Sequence, residues 1–276
     1  MAKVQTYRNL ASYFGKAESF LLENEFKNNL FWEVMRMIRK TGKTTWAGNV
    51  FMNGKIAMSS LFTPSGYLLV SNGSREAIAR LVNYGKSRDW QLKGVTGPEE
   101  SVSSFSSKWC EGMTDISSEN RRFMIYATSC SRFSGHPSAN LSAVGQISWP
   151  RAQTWATLFA NESIPPLNPT ALVTITREMM TQGNLFFLEK EGVGPCAMGG
   201  FGRSTPNCLV INEVFVPSGL RGKGYAGELI TSLVPEAKQR GFSNCILFSD
   251  FAGERNLYDR LGFEKVGAFC ERKLSQ

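Results

Sequence analysis

The alternation of apolar and polar positions changes period several times along the chain, and the changes predict its elements. In the second half, WPRAQTWATLFANES (149–163) is amphipathic at helical spacing. NLFFLEK (184–190), PCAMGGF (195–201) and CLVINEVFV (208–216) read as strands, the first two joined by the turn EGVG. A helix is predicted from about Lys223 to Arg240, ended by Gly241, with Lys238 and Arg240 in the last turn where cations suit a helix terminus. NCILFS (244–249) is a strand, a short helix covers about Glu254 to Leu261, and a closing strand pair lies around FEKVGAFCERK.

The first half repeats this order. GYLLVS (66–71) is a strand, and Asn72-Gly73-Ser74 is a turn whose serine can cap a helix running through Gly85. WQLKGV (90–95) is a strand, PEESVSSFSSKWCEG opens a second helix with proline at its first position, and RFMIYATS (122–129) is the last strand. Between the halves, SRFSGHPSANLSAVG (131–145) clusters Ser, Gly, Pro and Asn. The pattern predicts an α/β (α+β) chain of two strand-helix-strand-helix-strand domains, 1–140 and 141–276.

Composition narrows the chemistry. The chain has 276 residues, 42% hydrophobic and 20% charged, which suits a globular protein with two modest cores. No apolar run approaches the ~18 residues of a membrane span, and MAKVQTYRNL shows no secretory leader pattern. The six cysteines form no C-x-x-C pair, which suits free thiols in a reducing cytoplasm. The single histidine, His136, removes most zinc sites and most histidine-based triads, so no metal is expected. Without a histidine placed to activate them, the cysteines do not suggest a nucleophilic mechanism. Most of the net charge of +8 lies in residues 1–140. That excess is either an attraction for an anionic partner or a solvated surface.

Gly222-Lys223-Gly224-Tyr225-Ala226-Gly227 matches the literal G-x-G-x-x-G of dinucleotide sites. The context excludes that fold. Pro217 to Arg221 separate the loop from its strand, and a ribose-binding acid at Asp250 would leave too little chain for further crossovers. A phosphate-binding P-loop is excluded as well, because Pro217 stands where its first glycine is required and Gly224 replaces the Ser or Thr after the lysine.

What the stretch does match is Arg221-x-x-Gly224-x-Ala226, the Q/R-x-x-G-x-G/A signature of the GNAT superfamily of acyl-CoA-dependent N-acyltransferases. The preceding VFVPSGL resembles that family's fourth strand, and NLYDRLGFEKVG (256–267) resembles its last-helix motif. LFTPSGYLLVS, LKGVTGPEE and FSSKW resemble the amino-terminal part of predicted acetyltransferases in which a degenerate GNAT-like domain precedes the active one. The resemblance implies two tandem GNAT-like domains, each a mixed, largely antiparallel sheet flanked by helices, with acetyl-CoA bound by the second alone. The turn at Asn72 to Ser74 is too short to wrap a pyrophosphate.

The residues agree physically with that implication. A helix amino terminus offers unpaired N–H groups and partial positive charge to a pyrophosphate. Gly222 and Gly224 let the backbone approach the phosphates, Ala226 keeps the first turn thin beside Tyr225, also placed at the cofactor, and Arg221 and Lys223 add charge. By the resemblance, Val214, Phe215 and Val216 lie beside the pantetheine arm, and one of their amides polarises the acyl carbonyl. Tyr258 matches the tyrosine that protonates the departing thiolate, a role suited to a phenol with an ordinary pKa of about 10.

For the proton acceptor, Glu213 is either a base beside the pantetheine or, by strand alternation, a surface residue on the face opposite Val214 and Val216. Glu162 either grips a cationic substrate or is a solvated helix-end carboxylate. One departure concerns Phe251, which stands where the family commonly has Asn.

Three functions stay open: transfer from acetyl-CoA to a small amine or amino acid, aminoacyl transfer from charged tRNA, and acyl-CoA binding without turnover. The first is the expectation, with a small-molecule amine as partner, neither membrane nor nucleic acid involved, and the acceptor and oligomeric state unread.

Overall fold

The computed structural model describes residues 3–42, 46–111, 120–135, 140–249 and 256–274. His136, Phe251 and Asp250 lie outside the described residues. The chain forms two compact units, residues 1–125 with 266–276, and residues 126–265. The expected boundary at 140/141 follows chain order; the compact units part fifteen or so residues earlier, and the tail rejoins the first unit.

In chain order the elements are β1 (Lys3–Thr6), α1 (Leu10–Leu22), α2 (Glu25–Asn28), α3 (Leu30–Thr41), β2 (Ala47–Met52), β3 (Lys55–Phe62), β4 (Tyr67–Val70), α4 (Arg75–Lys86), β5 (Gly94–Pro98), α5 (Glu99–Trp109) and β6 (Asn120–Ser129). There follow β7 (Asn140–Ala143), α6 (Trp149–Glu162), α7 (Pro169–Thr181), β8 (Leu185–Lys190), β9 (Gly194–Ser204), β10 (Cys208–Phe215), α8 (Tyr225–Gln239), β11 (Asn244–Ser249), α9 (Leu257–Arg260) and β12 (Glu264–Lys273).

In the first unit the strand order is β1-β2-β3-β4-β5-β12. Only the β4/β5 pair is parallel among the pairs of this order, joined by α4 as a crossover. Ser74 caps α4 as its position predicts, accepting from the Ala77 N–H at 3.2 Å. Two expectations shift. The strand read at 90–95 begins at Gly94, because Trp90 instead packs into a ring cluster 4.4 Å from Trp46 and 5.1 Å from Phe62. Pro98 precedes α5 rather than opening it, since it still occupies a register position opposite Phe269. The closing strand pair is one strand, β12, whose residues Phe269–Lys273 pair antiparallel with β5.

In the second unit the order is β6-β11-β10-β9-β8-β7, with β10/β11 parallel and β7/β8, β8/β9 and β9/β10 antiparallel. One face of the sheet packs against α6 and α7 through a core containing Trp149, Trp155, Met179, Leu185, Phe187 and Phe215. The other face is covered by α8, whose Leu229, Ile230, Leu233 and Val234 are buried. Helix α7 has no counterpart in the sequence reading, because Val173-Thr174-Ile175-Thr176 is a β-branched run. Asn168 nonetheless caps it, accepting from the Ala171 N–H at 2.9 Å, and Pro169 occupies its first turn. All six cysteines are buried and outside any disulfide. Among the described residues no helix is long and apolar enough to cross a membrane.

Candidate active site

The site begins where β10 loses regularity. Asn212 pairs with Gly200 and Phe215 with Met198, so Glu213 and Val214 together face the single residue Gly199. This bulge forces Glu213 to φ +54°, a conformation few non-glycine residues adopt. Among the described residues the parallel register with β11 ends at Ile211↔Leu247, short of this segment. Beyond the bulge, Val214, Phe215 and Val216 line a cavity of about 490 Å³.

The opposite wall is the glycine loop. Gly222 and Gly224 have φ +78° and +84°, and a Cβ at either would meet no atom within 4 Å. These glycines therefore serve a backbone path rather than a tight packing contact. The left-handed residues at 222 and 224, on either side of Lys223, also delay α8, which starts at Tyr225 rather than Lys223. Gly224 is its N-cap and supplies no side-chain cap. The first intrahelical bond of α8 runs from the Glu228 N–H to the Gly224 carbonyl at 3.1 Å, so the amides of Tyr225, Ala226 and Gly227 have no intrahelical acceptor. Gly222, Gly224, Tyr225, Ala226 and Gly227 all line the cavity. Lys223 is exposed and is not part of its wall. An open amide-bearing helix start beside a strand segment that has passed the end of its register with β11 fits the diphosphate and pantetheine parts of an acyl-CoA.

Arg221 and Glu162 take positions the sequence did not reveal. The Arg221 guanidinium donates through Nε to the Val216 carbonyl at 2.9 Å, forms an ion pair with Glu162 through Nη2, and lies 5.7 Å from the Phe215 ring centroid. Glu162, the last residue of α6, is thus paired with Arg221 rather than a lone solvated carboxylate. Both side chains line the cavity.

Glu213 is not a surface residue. It is 2% exposed, and its Oε2 accepts from the Thr176 hydroxyl of α7 at 2.7 Å while Oε1 has no partner. Burial outweighs that hydrogen bond and pushes its carboxyl pKa up to about 7. The bulge explains the miscount of faces, since an extra residue breaks the period-two alternation. The side chain of Glu213 is not among those lining the cavity.

Tyr258 sits in α9, held by a capping box in which Asn256 accepts from the amides of Tyr258 and Asp259 while Asp259 accepts from the Asn256 N–H. Asn256 also donates to the buried Tyr126 hydroxyl at 2.6 Å. The half-buried ring of Tyr258 lies 5.5 Å from Tyr126 and 6.4 Å from Phe263. Its neighbour Leu257, not Tyr258, contributes to the cavity wall. Among the described residues, no three His, Cys, Asp or Glu side chains are grouped to hold a metal ion.

A mixed sheet with a bulged central strand, followed by a left-handed glycine loop and a helix amino terminus, defines an α/β fold of the acyltransferase type. Residues 149–263 match the family described as Acetyltransferase (GNAT) family, which assigns this region of the chain to the GNAT superfamily. The whole chain is similar in fold to an acetyltransferase of the GNAT family from Colwellia psychrerythraea, with 13% identity, a TM-score of 0.63, and 99% of this chain and 100% of that one covered. It is likewise similar to a GCN5-related N-acetyltransferase from Sphaerobacter thermophilus, with 15% identity, a TM-score of 0.61, and 98% and 95% covered. A Drosophila protein matches with 10% identity, a TM-score of 0.66, and 99% and 98% covered. No curated protein matches the sequence.

Proposed function

We propose that this protein is an acyl-CoA-dependent N-acyltransferase that moves an acetyl group from acetyl-CoA to a small amine or amino acid. The observation that carries this is the cavity whose walls are the end of β10 beyond its register with β11 and the amide-bearing start of α8. The amides of Tyr225, Ala226 and Gly227 would receive the pyrophosphate, with Gly222 and Gly224 keeping side chains out of its space and Arg221 and Lys223 adding charge nearby. The Val214–Val216 backbone would hold the pantetheine arm and orient the acyl carbonyl. The acceptor nitrogen forms a bond to the carbonyl carbon as the carbon–sulfur bond breaks. Glu213 would take up the proton the amine loses, through a water, and Tyr258 would supply one to the sulfur. In this reading residues 1–140 form a degenerate domain without a donor site, residues 141–276 form the catalytic domain, and the setting is cytoplasmic.

That Tyr258 is not among the residues lining the cavity favours a second reading, in which acyl-CoA is bound but not turned over. Titration calorimetry with acetyl-CoA, followed by a thiol-release screen over amines and amino acids, separates the two. Micromolar binding with release of free CoA supports transfer, binding without release supports the second reading, and no binding overturns both. Transfer from charged tRNA without acetyl-CoA binding would point instead to an aminoacyl transferase.

A further inference from the structure

The cavity lies between two helix ends of opposite polarity. Phe159, Glu162 and Ser163, at the carboxy-terminal end of α6, line it on one side, and Tyr225, Ala226 and Gly227, at the amino-terminal end of α8, line it on the other. A helix carboxy terminus carries partial negative charge and favours cations, and an amino terminus favours anions. Glu162 adds a full negative charge at the α6 end, where its own helix disfavours it. It is also the one carboxylate on the cavity wall among the described residues.

Arg221 answers that charge, but under constraints the geometry makes visible. A guanidinium has five N–H donors; the Val216 carbonyl takes one through Nε and Glu162 is paired through Nη2. The pair is half open to solvent, with side-chain exposures of 49% and 40%. Exposed ion pairs contribute little, whereas guanidinium–phosphate contacts are charge-assisted and often bidentate. Diphosphate oxygens arriving at the start of α8, four residues further along the chain, would compete well for Arg221. Glu162 would then be left as an unpaired carboxylate at a helix carboxy terminus. The surrounding wall is apolar, with Phe159, Leu220, Leu257 and the largely exposed Ile164.

Building on the donor site proposed above, we infer that the acceptor is a protonated aliphatic amine with an apolar body, that its ammonium group is held by Glu162, and that Arg221 masks this carboxylate until the donor's phosphates are bound. Amine binding is therefore conditional on CoA.

Calorimetric titration with benzylamine, which is cationic at neutral pH, and aniline, which is neutral and of similar shape, tests the inference on wild type and on Glu162→Gln. Wild type should bind benzylamine at least about tenfold more tightly with saturating CoA than without it, the scale of one charge-assisted contact, and aniline should show no such dependence. Glu162→Gln should lose the CoA dependence and the preference for benzylamine, and should bind CoA more tightly because Arg221 is released. Benzylamine binding that ignores CoA, or survives Glu162→Gln unchanged, would overturn this inference while leaving the donor site standing. Wild type that fails to bind CoA would overturn both.

Discussion

Glu213 combines a left-handed backbone, near-complete burial and a carboxyl that titrates near neutrality. Its folded pKa of about 7 lies above the ordinary value of 4.5, so the folded state binds the proton more tightly than the unfolded chain does. The associated stability is fully present below pH 4.5 and is lost as pH rises through 7. At roughly 1.4 kcal/mol per pKa unit, the change approaches about 3 kcal/mol. Melting temperature should therefore fall between about pH 5 and pH 8 in wild type, and Glu213→Gln should flatten that slope; an equal slope in the variant would assign it elsewhere. If Glu213 is also the proton acceptor, kcat/KM should rise through the same range and lose that rise in the variant. Gly224 is the second decisive residue. Glu at this position meets open space but must adopt φ +84°, which costs about 1–2 kcal/mol, and it points a like charge at the phosphate site. Gly224→Glu should still melt cooperatively but show no calorimetric binding of acetyl-CoA; unchanged affinity would remove the glycine loop from the donor site. The glycines were legible as residues, because their role is in the backbone. The burial of Glu213 was not, because it follows from a bulge that only the register with β9 reveals.

Helices α6 and α8 were legible as elements since each carries an amphipathic stripe, and Gly241 marks the end of α8. Helix α7 was not, although Asn168-Pro169 was a readable start signal, because tertiary packing of Leu172, Met179 and Met180 overrides the β-branched run between them. Its Thr176 hydroxyl donates to Glu213, a link that the sequence did not suggest. Element-scale order around Tyr258 depends on Asn256. That one side chain caps α9 and satisfies the buried Tyr126 hydroxyl, so Asn256→Ala removes a cap and strands a buried polar group. A loss of about 2 kcal/mol is expected from these two effects, read as a lower urea midpoint; an unchanged midpoint would mean that α9 contributes nothing to the cooperative unit. Tyr258→Phe, by contrast, keeps the ring against Tyr126 and Phe263 and should leave the midpoint in place. Should Tyr258 supply the proton to the leaving thiolate, turnover falls by about 10²-fold or more with acetyl-CoA affinity little changed. Turnover within about twofold of wild type would leave Tyr258 a packing role alone.

At the scale of the whole molecule, the repeated strand-helix order was readable, whereas the return of the tail to the first unit was not, because β-pairing between Gly94–Pro98 and Phe269–Lys273 joins segments far apart in sequence. The two units carry similar turns into their crossover helices, with opposite consequences. In the second unit, Gly224 leaves the α8 amides without a side-chain acceptor. In the first, Asn72-Gly73-Ser74 leads straight into α4, and Ser74 occupies the Ala77 amide with its own oxygen. A phosphate approaching α4 would have to displace that cap, and the turn offers no left-handed glycine pair to open a path; Gly73 is not in the left-handed region, and a Cβ there would already meet Met58 at 2.9 Å. Saturating calorimetry should accordingly give one acetyl-CoA per chain. The site should be lost altogether in Gly224→Glu rather than reduced by half, because no second site remains to titrate. A stoichiometry near two in wild type, or a residual single site in that variant, would show that the first unit binds donor through some surface other than the start of α4.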